Sequence, residues 1–290
     1  NSVLRPLYMQ RERGVCVDIV PCSDEGIKRG IISPQDIEAA ICPDTKAIVC
    51  THASNLTGNV MDIKSIGQIA RKHDLLFIVD ASQTAGVLPI NVKDMNIDVL
   101  CFTGHKGLMG PQGTGGLYVG ERADIKPFKS GGTGVLSFLE SQPMELPTRL
   151  EAGTLNGLGI AGLLAGVKAI EEIGVDNIYA KEHMLMKTFL EKIENISGIR
   201  IYGDFDMLSD NDLHCAIISV NIADMDSAEV SDILMNEYGI ATRSGIHCAP
   251  LMHKFFGTQK QGMVRFSFSY YNTIDEINEA AAALMQIAAL

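Results

Sequence analysis

Short apolar runs alternate with stretches of helical period through the first half of the chain. Residues 46–51, 75–79, 98–103 and 115–119 are continuous, β-branched or aromatic and of strand length, whereas 62–73 repeats Ile63, Ile66, Ile69 and Ala70 at the spacing of one helix face. Strands without polar alternation, separated by helical segments, predict a mostly parallel sheet between helices, with ligands at the carboxyl ends of the strands. A loop-rich stretch follows over 129–156, then two long helical patterns at 157–173 and 176–196. Strands are predicted near 199–202, 216–222 and 263–269, with a helix over 227–238 between the last two. The final helix opens with Thr273-Ile-Asp-Glu276, a capping-box pattern, and Asp226 and Glu229 repeat that spacing before the helix at 227. The second half therefore reads as a smaller α+β unit, with a division near residue 160.

The 290 residues and 46% apolar content suit a large packed core and exclude a disordered or fibrous chain. A net charge of −11 gives no basic surplus for a nucleic-acid partner. The apolar runs are too short to cross a bilayer, and no signal segment opens the chain, so the expected setting is cytoplasmic, with no membrane partner. Seven cysteines without a C-x-x-C pair argue against a disulfide framework and against a metal site. Most sit among Val, Ile and Ala and read as core residues; Cys248 stands apart.

Candidate chemistry gathers at three strand ends. The run 75–79 ends in Asp80-Ala-Ser-Gln83, the run 99–102 in Thr103-Gly-His105-Lys106, and the run 47–50 leads to Asn55. An acid, a lysine and an amide would meet on one rim of a sheet. Lys106 alone could be a surface lysine, but it stands between an apolar strand and a Gly-rich turn over 107–116, where backbone can pass close to a ligand. A lysine there could form a Schiff base with an aldehyde cofactor. Asp80 could be a helix N-cap or a magnesium ligand; it could also pair with a protonated pyridine nitrogen. The segment His247-Cys248 to His253 admits zinc ligation or an inert cysteine beside a reactive one. His52 and His73 read as ordinary loop or helix-end residues. The Gly-rich turn fits neither a Walker loop nor a dinucleotide fingerprint.

Asp80-Ala-Ser-Gln83 with Thr103-Gly-His105-Lys106 resembles the pyridoxal-phosphate core of the class V aminotransferases. Arg243-Ser-Gly-Ile-His247-Cys248-Ala and Glu151-Ala-Gly-Thr154-Leu-Asn156 resemble segments of the second group of cysteine desulfurases. Val264-Arg265-Phe-Ser-Phe-Ser269, followed by Tyr271-Asn272-Thr273, resembles their carboxylate-binding strand.

The resemblance implies fold type I of the pyridoxal-phosphate enzymes, with a large cofactor domain over 1–160 and a small α+β domain over 161–290. It implies that Lys106 holds pyridoxal 5'-phosphate, that Asp80 pairs with the ring nitrogen, and that Gln83 bonds the ring oxygen. Thr103 and His105 would hold the phosphate, Asn55 would lie over the cofactor near the substrate carboxylate, and Arg265 would bind that carboxylate. Thr154 would reach a phosphate of the other subunit in a homodimer. Cys248 would attack the sulfur of L-cysteine and carry it as a persulfide before a sulfur-acceptor protein, with Arg243 and His247 favouring its thiolate.

The implied reaction releases L-alanine. Selenocysteine lyase and plain aminotransferase are the alternatives within the family, though a transaminase needs no nucleophilic thiol. The resemblance starts part-way into the family pattern, beyond an aromatic-stacking histidine and a Gly/Thr phosphate loop. That implies an N-terminally truncated member, with a non-catalytic, partner-binding protein of this fold as the alternative of another class.

Overall fold

The computed structural model describes residues 1–22, 29–205 and 213–290. In chain order the elements are α1 (Leu4–Glu12), α2 (Pro34–Ala39), β1 (Ala47–Thr51), α3 (Ile63–Lys72), β2 (Leu76–Asp80), β3 (Val99–Thr103) and β4 (Gly115–Val119). They continue with α4 (Gly157–Ile173), α5 (Val175–Ile193), β5 (Ile199–Tyr202), β6 (Ile217–Ile222), α6 (Ser227–Tyr238), α7 (Pro250–Phe256), β7 (Val264–Ser267) and α8 (Ile274–Ala288).

The first sheet runs β1-β2-β3-β4. Its first three strands are parallel, with Thr51 beside Asp80 and Asp80 beside Cys101, and β4 closes the edge antiparallel to β3. This register puts the carboxyl ends of β1, β2 and β3 on one rim. The two faces are unequally covered. Ile48, Phe77, Val79 and Leu100 pack with Ile63, Ile66 and Ala70 of α3, whereas Ile78 and Cys101 are half-buried and Leu117 is exposed. Helix α3 forms because its apolar stripe recurs every third or fourth residue and Asp62 caps its start by accepting from the Ser65 N–H. Gly67 lets α3 lie against the Met95 carbonyl, where any Cβ would collide.

The second sheet, β5-β6-β7, is antiparallel throughout. Central β6 is buried along its whole length, and its two polar residues are bonded there: Ser219 Oγ donates to the Leu56 carbonyl and Asn221 Nδ2 to the Gly262 carbonyl. Leu185, Met186, Phe189 and Ile193 of α5 pack there with Ile218, Val220, Phe266 and the inner face of α8. Phe189 lies 4.8 Å from the Phe266 ring and 5.2 Å from Phe268. Helix α8 carries the full capping box: Thr273 accepts from the Glu276 N–H while the Glu276 carboxylate accepts from the Thr273 N–H.

Three details differ from the sequence reading. The box at Asp226 is not closed by Glu229; Asp226 accepts from the Ala228 N–H at 2.7 Å, one residue earlier. Cysteines are less internal than their neighbours suggest: Cys215 is buried, Cys22, Cys50 and Cys101 are intermediate, and Cys16, Cys42 and Cys248 are exposed. Helices α1, α2 and α7 were not anticipated. The signal for α2 is present as Ser33-Pro34-Gln-Asp36, a capping box with Pro at the first helical position.

Phe189 is fully buried among aromatic partners, so Phe189→Ala leaves a cavity the sheet cannot fill. Urea unfolding of this variant should show a loss of about 3–5 kcal/mol at unchanged slope; a loss below about 1 kcal/mol would mean this core is not packed as described.

Candidate active site

The rim of the first sheet and the loops of the second half converge on one cluster. Asp80 is the last residue of β2, and its carboxylate accepts from the Ser82 N–H at 2.9 Å. Lys106 stands three residues beyond β3 in a turn closed by Gly110 N–H donating to the Gly104 carbonyl at 2.7 Å. The turn is laid tightly against the segment after β2. A Cβ on Gly107 would stand 2.7 Å from the Ala85 carbonyl, and Gly86 meets Gly107 in the same way. Glycine is required here because two backbones touch.

The Lys106 residue keeps an exposed surface, but burial around its amine pushes the pKa below the ordinary lysine value. Asp80 opposes that shift, Arg265 and Arg243 add to it, and Cys248 opposes it. Those four groups therefore lie within electrostatic reach of the amine. Asp80 also raises the pKa of two neighbouring thiols already raised by burial: Cys50, pushed up to about 12, and Cys101.

Arg265 on β7 and Arg243 are joined backbone to backbone, Arg265 N–H donating to the Arg243 carbonyl at 2.8 Å. Arg265 Nη1 donates to the Asn55 carbonyl at 2.9 Å, and its Nε is buried without a partner among the described residues. Asn55 Nδ2 donates to the His247 carbonyl at 2.6 Å. Arg243 Nη2 reaches the Cys248 thiol at 4.0 Å, and that cysteine is exposed. Beside the lysine turn, Thr103 Oγ1 and His105 Nδ1 are hydrogen-bonded at 2.8 Å. Gln83 sits half-buried in the turn after β2. Thr154 is exposed before α4, and its side chain makes no hydrogen bond among the described residues.

The structure thus brings together Asp80, Lys106, Asn55, Arg243, Arg265 and Cys248, keeps Gln83, Thr103 and His105 on the adjoining turns, and leaves Thr154 on an outer loop. It also corrects one electrostatic expectation. His247 does not supply positive charge to Cys248, because burial, together with the nearby Arg265, His253 and Arg243 and against the bond to the Arg243 carbonyl, brings its pKa down to about 4. Its ring is neutral at pH 7, and Arg243 is the cation bonded to the thiol. Sequence reading did not find the partnership of His247 with His253, whose rings stack at 5.8 Å, nor the bond from Tyr271 Oη to Met109 Sδ at 3.6 Å. His52 is a structural residue, buried and bonded to Thr84 Oγ1 at 2.9 Å, and His73 ends α3 beside Glu38.

The donor set suits a phosphorylated pyridine aldehyde. It offers an amine of lowered pKa, a carboxylate for a ring nitrogen, hydroxyl and imidazole groups beside the lysine, and an unpaired buried guanidinium N–H for an anion.

A family model described as aminotransferase class-V matches residues 2–279. A curated protein of Methanothermobacter thermautotrophicus, named "Probable cysteine desulfurase", is 37% identical over 295 aligned residues that cover 100% of this chain and 71% of that protein. The apo structure of cysteine desulfurase from Thermococcus onnurineus superposes with a TM-score of 0.89 at 32% identity, covering 99% of this chain and 70% of that one. A cysteine desulfurase of Escherichia coli, crystallised in an S-sulfonic acid form, gives 0.87 at 25% identity, covering 99% and 69%.

Burial lowers the pKa of His52, His214 and His247 from 6.5 to about 4. Between those values the unfolded chain binds protons that the folded chain refuses. Their contribution is complete above pH 6.5 and is lost as the pH falls toward 4. Glu182, raised by burial to about 7, acts in the opposite sense, but it is one group against three. The urea midpoint should therefore fall between pH 7 and pH 5, and an unchanged or higher midpoint at pH 5 would contradict the buried, neutral state of these rings.

Proposed function

The chain belongs to the class V aminotransferase family, a family of pyridoxal-phosphate enzymes, and from that premise we propose that it removes sulfur from L-cysteine, releasing L-alanine and leaving a persulfide on Cys248. The observation that carries this reading is the meeting of Lys106, Asp80, Arg243, Arg265 and Cys248 in one electrostatic cluster. The names of its relatives from M. thermautotrophicus and T. onnurineus support it.

In this reading Lys106 holds the cofactor, Asp80 faces the ring nitrogen, Gln83 the ring oxygen, and Thr103 with His105 the phosphate. Bound pyridoxal phosphate supplies an electrophilic carbonyl and a cationic ring that stabilises negative charge at the substrate α-carbon. Arg265, with Arg243 beside it, orients the substrate through its carboxylate, a task suited to a planar guanidinium. Asn55 lies at the same end of the site, bonded to Arg265 through its carbonyl. The Lys106 amine moves the α-proton, and its lowered pKa brings it nearer the range useful for that task. Cys248 Sγ attacks the substrate sulfur as a thiolate, with Arg243 as the adjacent cation; the S–S bond forms as the Cβ–S bond breaks, and the electron pair of that bond stays with the carbon fragment, which takes up a proton to leave as alanine. A plain transaminase would have no use for that exposed thiol.

Exposure of Cys248 also suits transfer of the sulfur to an acceptor outside the chain. Exposure of Thr154 suits contact with the phosphate of a second copy in a homodimer. The division into a cofactor unit over 1–160 and a smaller unit over 161–290 belongs to the same reading. Among the described residues no helix is long and apolar enough to cross a membrane.

Lys106→Ala should lose the visible absorbance that borohydride fixes to the lysine in the parent protein. Its alanine production from L-cysteine should fall by about 10²–10⁴-fold, the range for a lost proton-transfer group. Cys248→Ser should keep that absorbance and lose the persulfide detectable by mass on peptide 248. Alanine or sulfide released at the parental rate by the serine variant would overturn the assignment. Comparison of cysteine, selenocysteine and alanine as substrates separates desulfurase from lyase and transaminase.

A further inference from the structure

Two consecutive residues with side chains, His247 and Cys248, occupy left-handed backbone, with φ of 53° and 57°. Such a conformation is unfavourable for a residue bearing a Cβ and persists only where its surroundings over-determine it. Here three contacts fix it. His247 Nε2–H donates to the Arg243 carbonyl at 2.9 Å and closes the segment 243–247 on itself. Asn55 Nδ2 donates to the His247 carbonyl at 2.6 Å, tying the same residue to the first sheet. The ring stacks on His253 of α7, which is bonded through Nδ1 to Thr258 Oγ1 at 2.8 Å.

The chemistry of the ring fixes its form. The Arg243 carbonyl only accepts, so Nε2 carries the proton. Nδ1 is buried with no partner among the described residues, so a second proton there would find no acceptor. The group is a neutral, one-proton donor whose hydrogen bond goes to the Arg243 carbonyl.

We propose that His247 is a positioning residue for Cys248: through the Arg243 carbonyl and the Asn55 amide it holds the 247–248 backbone left-handed and keeps the thiol beside the Arg243 guanidinium. The role in sulfur transfer rests on the desulfurase reading; the geometry of the thiol does not. His247→Leu removes the donor, releases the Arg243 carbonyl and lets residues 247–248 relax. His247→Gln keeps an N–H donor able to reach that carbonyl.

The test uses the full chain saturated with pyridoxal phosphate and follows two readouts. The first is the alkylation rate of Cys248 by iodoacetamide at neutral pH, mapped by peptide mass because Cys16 and Cys42 are also exposed. The second is alanine production from L-cysteine. His247→Leu should alkylate measurably more slowly, because the thiol no longer sits beside the Arg243 guanidinium, and should form alanine about 10²-fold more slowly, the effect of a misplaced group. Cofactor absorbance should remain. His247→Gln should recover most of both losses. Asn55→Ala, which removes the second tie and leaves the ring in place, should also slow alkylation, and it carries the test if His247→Leu does not fold.

Equal alkylation in the parent, His247→Leu and Asn55→Ala would overturn the proposal. So would a glutamine variant as impaired as the leucine one. A parent protein that makes no alanine while the alkylation order holds would remove the desulfurase reading and leave the positioning role standing.

Discussion

The site depends on a joint made by one residue. Asn55, in the loop after β1, accepts from Arg265 Nη1 through its backbone carbonyl and donates from its amide to the His247 carbonyl. The first bond ties the rim of the parallel sheet to β7 of the antiparallel sheet, and the second ties it to the segment carrying Cys248. Lys106 and Asp80 come from one sheet, Arg243, Arg265 and Cys248 from the neighbourhood of the other. A half-buried joint of two hydrogen bonds sets their mutual distances. Its energy is modest, but the chemistry proposed for the groups it aligns needs them together.

That arrangement concentrates three cations, Lys106, Arg243 and Arg265, in a chain whose net charge is −11. Burial first, and then repulsion from neighbouring guanidinium groups, lowers the pKa of both Lys106 and Arg265. An anion placed among them would relieve the repulsion, so the crowding that destabilises the amine's charged form also suits this cluster to the carboxylate that the proposed reaction brings. Asp80 prevents the lysine shift from being larger. His247 contributes no charge at pH 7, and its value lies in where it directs a hydrogen bond.

Much of the fold was readable because each strand and long helix has one dominant pattern. β2 is written as a continuous apolar run, Leu76 to Val79, up to its terminal Asp80; α3 is buried on one face and is written at helical period. Thr273 and Glu276 announce the start of α8 and do cap it, whereas Asp226 and Glu229 have the same spacing without closing a box. Spacing gives a carboxylate the opportunity to reach back, and the local backbone decides which N–H is nearer. Helix α7 was obscured because its residues adjoin Cys248 and invited a chemical reading. Pro250 at its start and Gly257 in left-handed conformation at its end were the available signals. Neighbouring residue types also misjudged the cysteines: Cys42 is exposed although Ile41 precedes it.

By itself the sequence determined which side chains end the strands, because a β-strand's length follows from local apolar pattern; Asp80 stands immediately beyond one such run and Lys106 three residues beyond β3. It determined the family through ordered motifs. Tertiary structure alone decided that Arg265, remote in sequence, bonds to Asn55, that Arg243 is the cation bonded to Cys248, and that His247 is uncharged. Distance between remote residues and the cost of burying a charge are properties of packing, and no local pattern encodes either.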